Sequence, residues 1–269
     1  MKARAKLYIT IKDGNRTSKG KSIVEEGGYM QIDDNVLGLS DTQQVDNLRS
    51  LIRRQSPMVF LTETNCTVVG MEESIGRLGN FMGTLVDYRG KAGGLSLVWE
   101  RSINARVLSK SPNHIDKGWP VEVEWRFKGV YGWPKTGEKL RTCDMIRDLK
   151  MQSTFPWVVS GDTNEILHNF QMKGGTLKNQ NVQNAFYETF NECGLFDLGF
   201  SGYECTWENR KRDGEVVEDR LDRLCALVDW SAIFPVAWVT HLNENISDHM
   251  LLSLAFMDQP RRARKRGKV

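Results

Sequence analysis

The sequence predicts an α/β (α+β) chain, two mostly antiparallel or mixed β-sheets with helices packed outside them. Three observations carry that reading. Short apolar and β-branched runs interleave with stretches of helical period, and several of the short runs alternate apolar and polar side chains as antiparallel strands do. The 269 residues suffice for a full core, and no linker, repeat or low-complexity segment divides them.

Leu7 to Ile11 alternates like a strand, whereas Asp13 to Gly28 has no periodicity. Val45, Leu48, Leu51 and Ile52 then mark one face of a helix from Thr42, opened by Ser40 or Asp41 as cap. Pro57 starts the strand MVFLTET, with Val59 and Leu61 on one face, Phe60 and Thr62 on the other, and Glu63 at its end. A short helix near Glu72 to Leu78 and a strand around Phe81 to Val86 follow. Gly90 to Gly94 (GKAGG) then turns the chain into LSLVW, a hairpin; these glycines lack the order and the following helix of a nucleotide-binding loop.

Val121 to Trp125 alternates apolar and charged residues, which predicts a half-exposed antiparallel strand running on through Phe127 and Val130 to Tyr131-Gly-Trp-Pro. A helix from about Thr136 carries Leu140, Cys143, Ile146 and Leu149 on one face. Trp157 to Ser160 reads as a buried strand, and Gly161 lets the backbone turn so that Asp162 and Asn164 share one small volume. That pairing suits a divalent metal or a phosphate oxygen; it is also ordinary turn chemistry. A helix over Val182 to Cys193 stops at Gly194. Glu204 to Glu208 reads as a strand, Arg212 to Glu215 as a hairpin turn, Asp222 sits in the apolar run RLDRLCAL, and Val236 to Leu242 and Met250 to Phe256 are strands around the turn Ser247-Asp248-His249.

The formal charge of +3 hides an uneven distribution, because Arg261 to Lys268 carries six positive charges and leaves the remaining chain at −3. An acidic body argues against a protein that coats nucleic acid non-specifically and is compatible with an enzyme whose pocket holds carboxylates and a metal. The basic tail reads as a nuclear-import signal, a phosphate-contacting arm or a solvated terminus. Five cysteines without C-x-x-C spacing predict reduced thiols in an intracellular protein, and no apolar run approaches a membrane span. The N-terminus has no secretory signal.

Glu63, Asp162, Asp222, Asp248 and His249 all fall at strand ends or turns, and a histidine beside acids suits an imidazole held in one tautomer by a carboxylate. His114, His168 and His241 lack that setting and read as surface or core residues. The series FLTET, GKAGGLSLVW, VYGWP, FPWVVSGDTNEIL, CGLFDLGFSGYECTWENR, RLDRLCAL, VTHL and SDH, over about Asn35 to Phe256, resembles the endonuclease/exonuclease/phosphatase superfamily, and within it the endonuclease domain of plant long interspersed (non-LTR) retrotransposons.

The resemblance implies a four-layer sandwich related to deoxyribonuclease I and to apurinic/apyrimidinic endonucleases, over residues 31–258, with an atypical segment 1–30 before it and a basic tail 259–269 after it. It implies Mg²⁺, or Mn²⁺, at Glu63 with Asn35 and Asp248 in the same acidic pocket. Tyr131 is then expected on the scissile phosphate, Asp162 on the attacking water, Asn164 on the phosphate, and Asp222 paired with His249. Arg261, Arg262, Arg264, Lys265 and Arg266 are the expected nucleic-acid contacts.

Two departures stand out. The family's W-N-C-R-G opening reads Asp33-Asp34-Asn35-Val36-Leu37-Gly38, with the strand before it replaced by YMQID or unrelated sequence, and SDHMLL lacks the usual proline after the histidine. No reverse-transcriptase segment follows, as expected of a fragment or truncated descendant of such an element.

The expected function is Mg²⁺-dependent nicking of DNA by a monomeric, intracellular and nuclear protein without membrane or nucleotide cofactor. The alternatives are an impaired relic that only binds nucleic acid, and a phosphatase of the same superfamily acting on small phosphoesters.

Overall fold

The computed structural model describes residues 5–11, 57–64, 67–89, 92–119, 124–211, 213–243 and 247–256. The strand at YMQID, the helix from Thr42, Asn35 and the basic tail lie outside them.

One six-stranded sheet has the order β14(Trp238–Leu242), β15(Leu251–Phe256), β1(Ala5–Ile11), β2(Met58–Thr62), β4(Ala92–Glu100), β3(Phe81–Arg89). The second has the order β10(Phe196–Asp197), β13(Asp222–Ala226), β8(Trp157–Asp162), β7(Trp125–Tyr131), β6(His114–Trp119), β5(Arg106–Ser111). A small third sheet joins β11(Trp207–Arg210), β12(Val216–Asp219) and β9(Met172–Lys173).

Period-two alternation divides each central strand between two layers. From β2, Met58 and Phe60 enter the core between the large sheets, where Phe127, Val158 and Leu224 meet them. Val59 and Leu61 pack instead with Met71 and Ile75 of α1(Val68–Gly76). From β8, Trp157 and Val159 pack against Ile146 and Leu149 of α2(Leu140–Met151) and Phe186 and Phe190 of α3(Gln180–Glu192). Helix, sheet, sheet, helices is the four-layer order expected. The short α4(Val228–Ile233) adds Trp230 to an aromatic cluster with Trp119, Trp125, Phe234 and Phe256. That cluster closes the end of the sandwich where β7 begins, leaving loops at the other end.

Leu7 to Ile11, which alternates like a strand, lies in one: Ala5–Ile11 is a central strand, parallel to β2 and antiparallel to β15, with Ile11 level with Thr62. Of the half-exposed strand expected at Val121 to Trp125, residues 121–123 lie outside the described residues and Glu124 is exposed, while the strand that follows, Trp125 to Tyr131, is buried throughout. Arg126 and Lys128 both bind Asp116 of β6, each at 2.8 Å. They also donate to Gln152 O and Leu149 O at the end of α2, so helix carbonyls and a buried carboxylate replace solvent. Lastly, the strand read at Glu204 to Glu208 begins only at Trp207, because Cys205 and Thr206 lie in a buried connection.

Gly129 on β7 is required by packing rather than by backbone dihedrals. A Cβ there would enter the van der Waals envelope of the Phe60 ring, which is fully buried and lies edge-on to Phe127 at 5.7 Å. Gly129→Ala is therefore expected to cost about 1–3 kcal/mol in urea unfolding by overpacking the inter-sheet core; an unchanged midpoint would show that the two sheets separate freely at that point.

Candidate active site

Three side chains stand in one row across the second sheet. Tyr131 ends β7, Asp162 ends β8 and Asp222 begins β13; Tyr131 is level with Asp162 in the parallel pair, and Asp162 with Asp222 in the antiparallel pair. Neighbouring strands lie about 4.8 Å apart, so the three groups share one edge of the sheet. Gly161, with φ +140°, makes the row possible, since a Cβ at that position would strike the Val130 carbonyl.

Beyond the row, Asn164 closes the turn. Its N–H donates to Asp162 Oδ1 at 2.7 Å, and its Nδ2 donates to Gly132 O at 2.9 Å. Glu63 reaches the same place from the other sheet, one residue past β2, where its Oε1 accepts the hydroxyl of Tyr131. Glu63 (φ 50°) and Asn164 (φ 55°) are the two non-glycine residues with positive φ among the described residues. Left-handed backbone at a glutamate is disfavoured and persists where surrounding contacts over-determine it, as around functional groups.

His249 completes the cluster, its Nδ1–H donating to Asp222 Oδ2 at 2.8 Å with both side chains buried. Asp222 is itself seated by its own N–H, which donates to Thr206 Oγ1 at 2.9 Å. Burial opposes the imidazolium, but the charge and hydrogen bond of Asp222, with Asp162 and Asp248 behind, outweigh it and push His249 up to about 10. Asp162 is raised to about 7, by burial and then by the Asp222 charge, against the pull of His249. Burial first, then the Glu63 and Asp162 charges, hold the Tyr131 phenol protonated.

Asp248 behaves differently. Its Oδ2 accepts the Trp207 indole N–H at 2.9 Å and its Oδ1 the Ser247 hydroxyl at 3.2 Å, while its carbonyl accepts Glu208 N–H at 3.0 Å. Six of the expected residues are thus brought together by contact or register: Glu63, Tyr131, Asp162, Asn164, Asp222 and His249. Asp248 sits beside them, tied to Trp207. Asn35, Arg261, Arg262, Arg264, Lys265 and Arg266 lie outside the described residues.

Thr206 and Trp207, which touch Asp222 and Asp248, were not singled out from the sequence; they stood in the quoted CTWEN motif with no chemistry attached. His114 bonds Ser109 and Ser111, His168 stacks on Phe170, and His241 Nδ1–H donates to Tyr203 O at 2.6 Å. These three remain outside the cluster, as expected.

Two clefts adjoin it. One of about 870 Å³ includes Tyr131, Trp133, Lys135 and Arg141; the other, of about 450 Å³, includes Trp207, Asp248 and His249.

Because Asp222 is what raises His249, Asp222→Asn is expected to lower the His249 titration midpoint from about 10 toward the ordinary imidazole range. NMR titration of the ring carbons reads this directly, and a His249 that titrates near 6.5 in the parent protein would remove the ion pair from the site. Both folded pKa values lie above their unfolded ones, so the contribution of His249 is complete below about 6.5 and that of Asp162 below about 3.8, and both are lost as pH rises through about 10 and about 7 respectively. Unfolding free energy is therefore expected to fall between pH 4 and 10 in denaturant titrations, and more shallowly in His249→Gln.

No family model matches the chain, and no curated protein does. Solved structures do. The endonuclease domain of TRAS1, a telomere-specific non-LTR retrotransposon, aligns over 96% of this chain and 100% of its own at 12% identity, with a TM-score of 0.63. The apurinic/apyrimidinic endonuclease LMAP of Leishmania major covers 96% of this chain and 88% of its own at 11% identity, with a TM-score of 0.67. The 3′ phosphatase NExo of Neisseria, bound to a product DNA hairpin, covers 94% and 99% at 12% identity, with a TM-score of 0.62. The four layers and these likenesses together give the chain the deoxyribonuclease I-like fold.

Proposed function

We propose that this protein is a divalent-metal-dependent phosphodiester hydrolase that nicks DNA, of the retrotransposon endonuclease type. The observation that carries the reading is the single edge shared by Tyr131, Asp162 and Asp222, with His249 bound to Asp222 and Glu63 joined to Tyr131 from the facing sheet. Phosphodiester cleavage adds negative charge to an anionic centre, and this cluster offers an imidazolium as donor with one carboxylate of raised pKa beside it, while the Tyr131 hydroxyl is held by Glu63 and the Asn164 amide by Gly132 O.

The residues present fit a divalent ion. Asp162 is raised by burial and then by the neighbouring Asp222 charge, and Asp222 Oδ1 is buried without a hydrogen-bond partner among the described residues. Among those residues no group of three or more His, Cys, Asp and Glu side chains is arranged to hold an ion. Mg²⁺ is bound by one or two carboxylates and retains water and substrate oxygens, so Glu63 is its candidate protein ligand, with Asn35 expected beside it; Mn²⁺ has the same chemistry. When bound, the ion neutralises charge on the phosphoryl oxygens.

The chain's own groups supply the rest. With Oδ1 of Asp162 taken by the Asn164 N–H, its other oxygen holds and deprotonates the water. His249, its Nδ1–H on Asp222, presents Nε2–H to a phosphoryl oxygen. Asn164 and Tyr131 orient the phosphate. DNA as substrate is supported by a neighbour of the same fold that binds a DNA product, and the six tail cations suit the phosphate backbone and nuclear import. No described helix is long and apolar enough to cross a membrane.

Supercoiled-plasmid nicking tests the reading. Nicking is expected with Mg²⁺ and not with EDTA, and Asp162→Ala is expected to lower the rate by about 10²–10⁴. Equal nicking by mutant and parent would dismiss the site. Nucleic-acid binding without any nicking would favour the impaired relic, and turnover of small phosphoesters alone the phosphatase. The rate should also rise with pH to a shoulder at or below about 7, where Asp162 ionises, and decline toward about 10 as His249 loses its proton; a profile flat from pH 5 to 10 would contradict both roles.

A further inference from the structure

Trp207 is a half-buried indole outside the three packed cores, and its N–H is directed at a carboxylate rather than at solvent. It stands at the start of β11, and the backbone on either side of it is stitched to the loop that carries His249. Trp207 pairs with His249 in an isolated bridge, Glu208 N–H donates to Asp248 O at 3.0 Å, and Met250 N–H donates to Thr206 O at 2.7 Å. The preceding hydroxyl, Thr206 Oγ1, accepts the N–H groups of both Leu221 and Asp222, at 3.0 and 2.9 Å. One three-residue stretch therefore holds both halves of the His249–Asp222 pair.

The side-chain geometry adds a second hold on His249. Asp248 immediately precedes it, and both carboxylate oxygens of Asp248 are engaged by protein donors, Trp207 Nε1–H at 2.9 Å and Ser247 Oγ–H at 3.2 Å. The Trp207 ring itself lies 6.4 Å from the imidazole, tilted by 53°. A carboxylate anchored in this way is poorly available to an ion. It is well placed to fix the peptide that orients the next side chain.

We propose that Trp207 is a positioning residue for His249, acting through Asp248, and that Asp248 serves as a brace and not as a metal ligand. The imidazole has two independent constraints: Asp222 sets its tautomer and charge, while the Trp207–Asp248 bond sets where Nε2 points. A donor displaced by an ångström from the phosphate loses much of its effect even when it stays charged. The proposal rests on the catalytic reading above for its kinetic consequence, but not for its structural one.

Trp207→Phe keeps the ring and deletes the N–H. In plasmid nicking it is expected to lower kcat about tenfold with KM unchanged. Asp248→Asn, whose amide oxygen still accepts the indole N–H, is expected to retain most of the rate, whereas Asp248→Ala falls to the level of Trp207→Phe. The double variant Trp207→Phe/Asp248→Ala should be no slower than either single one, since the two side chains act through one bond. Multiplying losses, or a Trp207→Phe rate equal to that of the parent, would overturn the proposal, as would loss of activity in Asp248→Asn equal to that in Asp248→Ala.

The second measurement needs no turnover. The ¹³C-labelled His249 ring is expected to give one sharp resonance in the parent and a shifted or doubled one in Trp207→Phe, with the melting temperature little changed. An unmoved resonance would overturn the positioning role whether or not the parent nicks DNA; an inactive parent with a moved resonance would leave the brace standing and count against the nuclease reading alone.

Discussion

The site depends on strand register. Tyr131, Asp162 and Asp222 come together because β7, β8 and β13 align them in one row, and in a sheet a slip of one residue turns a side chain to the opposite face. Several bonds beyond the strands fix that alignment. Gly132 N–H donates to Asp162 O at 2.7 Å, Thr163 N–H to Leu221 O at 3.0 Å, and the Thr163 hydroxyl to the same carbonyl at 2.9 Å. The close approach of Gly161 to the Val130 carbonyl then excludes any residue with a Cβ from the position before the carboxylate. The row is held by backbone, so its chemistry does not rest on flexible loops.

Burial of charge is the second constraint, and the sheet handles it in two ways. On its outer face Asp116 is balanced by Arg126 and Lys128, with helix carbonyls taking the remaining donors, so that cluster is closed on itself. At the edge, two buried carboxylates, Asp162 and Asp222, face a single imidazole, and burial together with the Asp222 charge raises the pKa of Asp162. A satisfied cluster rigidifies a fold; an unsatisfied one is poised to take up a proton or a cation. The difference separates the structural charges from the candidate catalytic ones, although the two sets lie on adjacent strands.

Much of this was legible in the sequence. Glu63, Asp162 and His249 stand at the ends of short apolar runs, where alternation stops, and that break in pattern located them before any geometry was known. The strands β5 and β6 were not legible, because nothing local in HIDKGW reveals that Asp116 has Arg126 and Lys128 as partners on the next strand. Trp207 escaped notice for a related reason, since a hydrogen bond across 41 positions leaves no spacing to detect. What the sequence hides in each case is a long-range polar pairing; what it displays is the apolar period.

The G-D-x-N turn shows why bland and functional readings of one motif need not compete. As turn chemistry it is ordinary: Asp162 Oδ1 accepts the N–H two residues on, and Asn164 tolerates φ 55° better than most residues. That same bond pins the carboxylate by one oxygen at the end of a buried strand, level with Tyr131 and Asp222. The second oxygen is thereby held in a fixed direction, and the Asn164 amide is brought to the same edge with its own Nδ2 anchored on Gly132 O. A local rule that evolved sequences use to reverse the chain here also immobilises two polar groups beside an imidazole, so the turn is part of the candidate chemistry because it is a well-formed turn.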